Sequence, residues 1–176
     1  MSLSSTRGFT LIELMIVVVI LVIGASLALP AFQSMIANNQ VTTSSNELLT
    51  AINLARTEAL KRGRPVAVCA SDDGDDCSGD WSEGWIVVND ANRAGDDSID
   101  EGEIIRIWPS LRGRYGFEGE GDLPEFVRYL PNGRAESPGT SFPLQFQLRR
   151  DDCEYGAARL ITVVGTGRAS VAQDDC

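Results

Sequence analysis

Histidine is absent from this 176-residue chain. That removes Ser-His-Asp triads, Cys/His zinc sites and histidine general bases together. Aromatic residues reach only 7%, and bases are scarce, with 15 Lys and Arg against 25 Asp and Glu for a formal net charge of −10. So acidic a chain lacks the basic face that phosphate contacts need, which argues against nucleic acid as a partner. The four cysteines show no C-x-x-C spacing, a pattern that fits a disulfide framework better than a metal centre. With 43% hydrophobic and 23% charged residues the chain is neither disordered nor collagen-like. Its length suits one modest domain with an accessory element.

Charge is also missing from one long stretch. Between Leu14 and Leu29 the sequence reads LMIVVVILVIGASLAL. As a helix, Phe9 to Leu29 spans roughly 32 Å, enough to cross a bilayer core. A cleaved secretory signal fits poorly, because its apolar region is shorter and an amphipathic pattern here continues past Pro30. Glu13 sits at the apolar edge, where a carboxylate is costly in lipid and calls for a partner. Arg7 is the nearby base, so the positive-inside rule puts the N-terminus in the cytoplasm and the bulk of the chain outside the inner membrane, where disulfides persist.

Beyond Pro30, Phe32, Met35 and Ile36 form one apolar group, and Leu48, Ile52, Ala55 and Ala59 recur at helical spacing. The intervening NNQVTTSS contains weak helix formers and reads as less regular or exposed. Lys61 and Arg62 suit a helix C-terminus, Gly63 a C′ position, and Pro65 stops continuation. One helix is therefore expected from about Phe9 to Arg62 with a kink near Pro30, and Leu48 to Leu60 as its packed part. Strands are expected near Val66–Ala70, Trp85–Val88, Ile104–Trp108, Phe126–Leu130, Leu144–Leu148, Leu160–Val164 and Ala169–Val171. Gly113, Gly116, Gly119 and Gly121 read as a flexible turn. Trp81, Trp85 and Trp108 read as aromatics that pack the sheets.

The cysteines form two sequence-local pairs, Cys69 with Cys77 and Cys153 with Cys176; locality favours this pairing among the three that four cysteines allow. The loop from Asp90 to Glu101 approaches the spacing of an EF-hand, with Asp90, Asn92, Asp96 and Glu101 as candidate calcium ligands. Ala94 stands where an oxygen ligand belongs, and the flanks WIVVN and EIIRIW read as strands, so the plainer reading is an acidic hairpin loop and no cofactor. Asp72, Asp73, Asp75 and Asp76 read as a solvated loop.

The segment Arg7-Gly8-Phe9-Thr10-Leu11-Ile12-Glu13-Leu14 resembles the processing motif of type IV pilins and type II secretion pseudopilins. The resemblance implies that a prepilin peptidase cuts between Gly8 and Phe9 and methylates the new N-terminus at Phe9. It also implies that Glu13 neutralises the terminal amine of a neighbouring subunit. Ala28-Leu29-Pro30-Ala31-Phe32 is similar to the proline-containing junction of type IV pilins. Further along, Asn53 to Ala59, Trp81 to Asp90, Phe126 to Ala135 and Ala158 to Arg168 resemble the GspH/FimT group of minor pilins and pseudopilins. Some FimT-like members bind DNA through a C-terminal Gly-Arg-x-Arg element. Gly167-Arg168-Ala169-Ser170 lacks the second arginine, which counts against Arg168 in that role.

The expected fold is α+β and type IV pilin-like: a long N-terminal α-helix, membrane-spanning in its first half, packed on antiparallel β-sheets. Residues 1–8 would be a leader, 9–30 the membrane and filament-core helix, 31–62 its amphipathic continuation, and 63–176 a periplasmic antiparallel β domain with disulfides. The implied role is structural and not enzymatic: a minor pilin that initiates or caps a type IV pilus. Its partners would be other minor and major pilins, the prepilin peptidase, the inner-membrane assembly platform and, before assembly, the inner membrane itself. The alternatives are an H-type pseudopilin of a type II secretion system and a DNA-uptake binding module.

Overall fold

The computed structural model describes residues 8–90, 98–111, 113–119, 123–137, 139–150 and 158–175. The expected partner cysteines Cys153 and Cys176 lie outside these, as do Arg7, Asn92 and Asp96. The chain divides into two compact units, residues 1–36 and residues 37–176. One helix, α1 (Leu11–Arg62), contributes to both.

In the first unit the helix begins at Leu11 and continues through Pro30. Its apolar side chains have no protein to pack on: even Val17, the least exposed of the large ones, shows 48% of its surface. Among the described residues α1 is the one helix long and apolar enough to cross a membrane.

In the second unit α1 buries Ala37, Val41, Ser44, Ser45, Leu48, Ala51, Ile52, Ala55 and Ala59. Steps of three and four place them on one face. The packed part thus begins at Ala37, earlier than the apolar pattern indicated. The polar stretch before Glu47 is regular helix, contrary to expectation. Ser44 and Ser45 are buried in it because they are small, and Ser45 Oγ donates back to Thr42 O at 3.0 Å. Arg159 Nη2 donates to Thr42 Oγ1 at 3.1 Å, so the polar residues are met by a strand. The helix stops as read: Gly63 takes φ +64° and its N–H donates to Ala59 O at 3.0 Å.

Among the described residues nine strands follow: β1 (Val66–Ala70), β2 (Gly84–Asp90), β3 (Glu101–Pro109), β4 (Tyr115–Glu118), β5 (Phe126–Tyr129), β6 (Ala135–Glu136), β7 (Leu144–Arg150), β8 (Ala158–Val163) and β9 (Ala169–Asp174). They form two sheets, ordered β3-β2-β1-β5-β6 and β4-β7-β8-β9. Every pairing is antiparallel. The glycine-rich segment read as a flexible turn contains β4, where Phe117 is paired with Leu148 of β7. The two-residue β6 gave no sequence signal.

All five residues of β1 are buried because both faces are covered. Val66, Val68 and Ala70 join the main core with the helix stripe and with Phe146, Leu148 and Ile161 of the second sheet. Ala67 and Cys69 face a smaller cluster with Ile86, Val88 and Phe126, and Cys77 packs on that cluster from outside. The Cys69–Cys77 disulfide fastens this cover. The three tryptophans are core residues, as expected. Trp81 and Phe117 both set their rings edge-on to Phe146, with centroids 5.1 and 6.5 Å away, and Trp85 of β2 meets Phe117 of β4 edge-on at 5.8 Å, joining the sheets.

A second junction is made by two hairpin turns of the same geometry. Gly133 N donates to Leu130 O and Leu130 N to Arg134 O; likewise Gly167 N donates to Val164 O and Val164 N to Arg168 O. Both glycines have positive φ. The turns touch so closely that a Cβ on Gly167 would lie 1.9 Å from Gly133 O. Ala135 N donates to Gly165 O at 3.2 Å and Tyr129 Oη to Gly167 O at 3.3 Å. Gly167→Ala should therefore lower stability by roughly 3 kcal/mol. Gly139→Ala, also at positive φ but with nothing within 4 Å, should cost about 1 kcal/mol. Denaturant unfolding of the detergent-solubilised chain, followed by tryptophan fluorescence, distinguishes the two.

Candidate assembly site

The N-terminal site is built on the first turn of α1. Gly8, Phe9 and Thr10 precede the helix, and Phe9 is 81% exposed. The Gly8–Phe9 bond is thus outside regular structure and open to an enzyme. Thr10 caps the helix: its Oγ1 accepts from Glu13 N at 3.3 Å, while Glu13 Oε2 accepts from Thr10 N at 3.4 Å. This reciprocal pair is a capping box. Its signal, a threonine followed three positions later by a glutamate, is present in the sequence beside the apolar run. Glu13 is exposed, so its carboxylate reaches solvent while it caps. Pro30 lies within the helix, and its neighbours Leu29 and Phe32 are exposed apolar residues.

The calcium reading needs a correction at Asp90. Asp90 and Arg128 are both fully buried and form an ion pair, Arg128 Nε donating to Asp90 Oδ2. The second carboxylate oxygen accepts from Asp100 N at 3.1 Å, and Arg128 Nη2 donates to Ser98 O. The guanidinium also lies 5.0 Å from the centre of the Phe126 ring. A carboxylate already neutralised by a buried guanidinium is not available to a cation. Asn92, Asp96 and the side chain of Glu101 fall outside the described residues. Arg128 was missed because a charged residue in a short strand reads as facing solvent.

Asp72, Asp73 and Asp76 converge within 4.8 Å of one another and are exposed. Their oxygens serve the turn: Ser78 Oγ donates to Asp72 Oδ1 at 2.9 Å, and Asp75 N to Asp73 Oδ1 at 2.8 Å. The backbone N–H of Asp75 holds the Asp73 carboxyl below its ordinary range, partly opposed by desolvation. Arg168 is exposed on the second of the two touching turns, beside Gly167.

Two measurements test this geometry. Asp90→Ala should destabilise the chain by about 3–5 kcal/mol by stranding the buried arginine, whereas replacing both partners with apolar residues of similar size should cost far less. Replacing Cys69 and Cys77 by serine should cost about 2.5 kcal/mol through the reopened loop. Urea unfolding midpoints report both.

Comparison with known proteins places these features. The family described as Type II transport protein GspH matches residues 44–167, and the prokaryotic N-terminal methylation motif matches residues 3–29. A fimbrial protein of Pseudomonas aeruginosa is 39% identical over 69 residues, covering 39% of this chain and 44% of its own. A type IV major alpha-pilin of Moraxella bovis is 48% identical over 59 residues, covering 32% of this chain and 37% of its own. The chain thus spans less than half the length of these relatives. In fold it is similar to the type IV minor pilin FimU of Pseudomonas aeruginosa, with TM-score 0.54, 20% identity, and coverage of 76% of this chain and 89% of that one. It is also similar to the minor pseudopilin EpsH of the Vibrio cholerae type 2 secretion system, with TM-score 0.53, 12% identity, and coverage of 76% and 97%. A helix bearing an N-terminal methylation motif, carried into two antiparallel sheets matched over most of their length, identifies the chain as a member of the GspH family, within the type IV pilin-like fold.

Proposed function

We propose that this chain is a minor pilin that assembles with other pilins through its N-terminal helix to initiate or cap a type IV pilus. The observation that carries the reading is the uncovered apolar face of Leu11–Leu29 directly behind an exposed, non-helical Gly8–Phe9 bond. So large an apolar surface requires a cover. Lipid supplies it before assembly, and neighbouring helices supply it in a filament, where packing and the satisfaction of polar groups drive association. A prepilin peptidase would cut after Gly8 and methylate Phe9. The inner-membrane platform would then lift the subunit, with its C-terminal domain on the periplasmic side. Pro30 would shape the helix where it leaves the filament core. The family's structural character supports assembly over catalysis.

Glu13 has two uses in this reading. In the single chain it caps its own helix, and in the filament it would meet the terminal amine of a neighbour, since an unpaired charge is costly in an apolar bundle. Glu13→Ala should leave cleavage at Gly8 intact and reduce incorporation into filaments by roughly tenfold or more. Immunoblotting of sheared filaments checks it, and normal incorporation would refute the docking role. No cofactor takes part: chelation with EDTA should leave incorporation unchanged, and a loss restored by millimolar calcium would show otherwise.

A second reading has its own support. The matched family is described as a type II transport protein, and EpsH belongs to a secretion system. In that case the chain is an H-type pseudopilin with the same processing and the same helix packing. Deleting the gene distinguishes the two, because a pilin deletion removes surface filaments and a pseudopilin deletion retains exported enzymes in the periplasm.

A further inference from the structure

The touching hairpins carry more than a scaffold. Each ends in Gly-Arg, Gly133-Arg134 and Gly167-Arg168, and contact between the two turns sets the two arginines next to each other on exposed backbone. Arg56 of α1 reaches the same place. Its Nη2 donates to Thr166 O at 3.4 Å, and its Nε lies 3.4 Å from where a Cβ of Gly133 would stand. That Nε is buried and has no hydrogen-bond acceptor. Leu60, one helical turn on, is 52% exposed and lies 3.5 Å from the same point.

The charges in this patch contrast with those around it. In a chain with 25 carboxylates, Lys61, Arg62, Arg128 and Arg149 each have an acidic partner. Among the described residues Arg56, Arg134 and Arg168 have none, nor do Arg64, Arg106 and Arg159, but the first three are gathered at the touching turns. Their place is fixed by backbone contact and not by long side chains, which lowers the entropy cost of using them. An exposed leucine set among arginines has the composition of an interface centre.

We propose that Arg56, Arg134 and Arg168, grouped around Leu60, form a docking surface for exposed carboxylates on the adjacent pilin-type subunit of the filament. The inference rests on the assembly reading and names the surface by which the globular domain selects its neighbour. Arginine forks suit carboxylates, and the contact is local. A subunit of this fold can present such a partner: the Asp72–Asp76 turn of this chain is exposed at the opposite end of β1, since Val66 is paired with Tyr129 beside the arginine turns and Ser71 follows Ala70 at the far end. A polyanion is a poorer occupant, because the net charge of −10 repels it at the range over which phosphate attraction acts.

The test uses the full chain in its host. Wild type, Arg134→Glu/Arg168→Glu and Arg134→Lys/Arg168→Lys are compared for retention in sheared filaments washed at low and at about 0.5 M salt. Controls are peptidase cleavage, formation of the Cys69–Cys77 bridge and resistance to protease. Charge reversal should lower retention roughly tenfold and lysine should largely preserve it, since like charges set together are costly. High salt should weaken wild-type retention, and nuclease should have no effect. Should the reversed chain fail the folding controls, Arg134→Gln/Arg168→Gln serves instead, with a loss of about threefold expected. Equal retention of folded variants overturns this surface and leaves the assembly reading intact. Absence of the wild-type chain from filaments overturns both. Nuclease-sensitive retention assigns the arginines to nucleic acid and overturns the carboxylate partner.

Discussion

The buried stripe of α1 from Ala37 to Ala59 is the contact on which the rest of the structure depends. A single apolar cluster contains this stripe, the inner faces of β1 and β2, and the inner faces of β7 and β8. Neither sheet could bury its apolar face alone, since each is a single antiparallel layer. Alanines and serines make up most of the stripe, and the large side chains come from the sheets: Trp85, Tyr129, Phe146 and Leu148. Small residues on the helix and large ones opposite complement each other in size.

The same helix has a second apolar surface whose solvent is different. From Leu14 to Leu29 the helix is apolar on all sides, whereas beyond Ala37 it is apolar on one. A helix that is hydrophobic all round belongs in lipid or among other helices, and one with a single stripe belongs on a globular core. One continuous element thus carries two partitioning instructions. The capping box of Thr10 and Glu13 completes the arrangement by satisfying backbone donors at the end that enters the apolar phase.

Much of this was legible in the residues, for identifiable reasons. The run VAVCA lacks alternation and still forms β1, because both of its faces are covered. Gly63 and Pro65 mark the helix end because only certain backbones fit there. The near disulfide followed from locality. What escaped notice was polar and buried. Ser44 and Ser45 resembled an exposed stretch, since the composition of a segment does not say which sheet will cover it. Arg128 and Asp90 are far apart in sequence, so nothing local signals their pairing, and a calcium loop offers itself where an ion pair lies. Tyr115–Glu118 was hidden by the glycines around it, although pairing with β7 outweighs their entropy. The arginine surface was half visible. Arg168 stands alone in a linear motif, while its companions Arg56 and Arg134 join it only through the fold.

The contact between the two turns leaves Gly167 no room for any side chain, and Gly133 is held at positive φ, yet each is followed by an exposed residue. Scaffold and surface are therefore separated by one peptide unit. Exchange of the residues after the glycines can rewrite the chemistry of this end of the domain while the junction of the sheets stays as it is. In these paired turns a position that admits no side chain stands directly beside one whose side chain meets the surroundings.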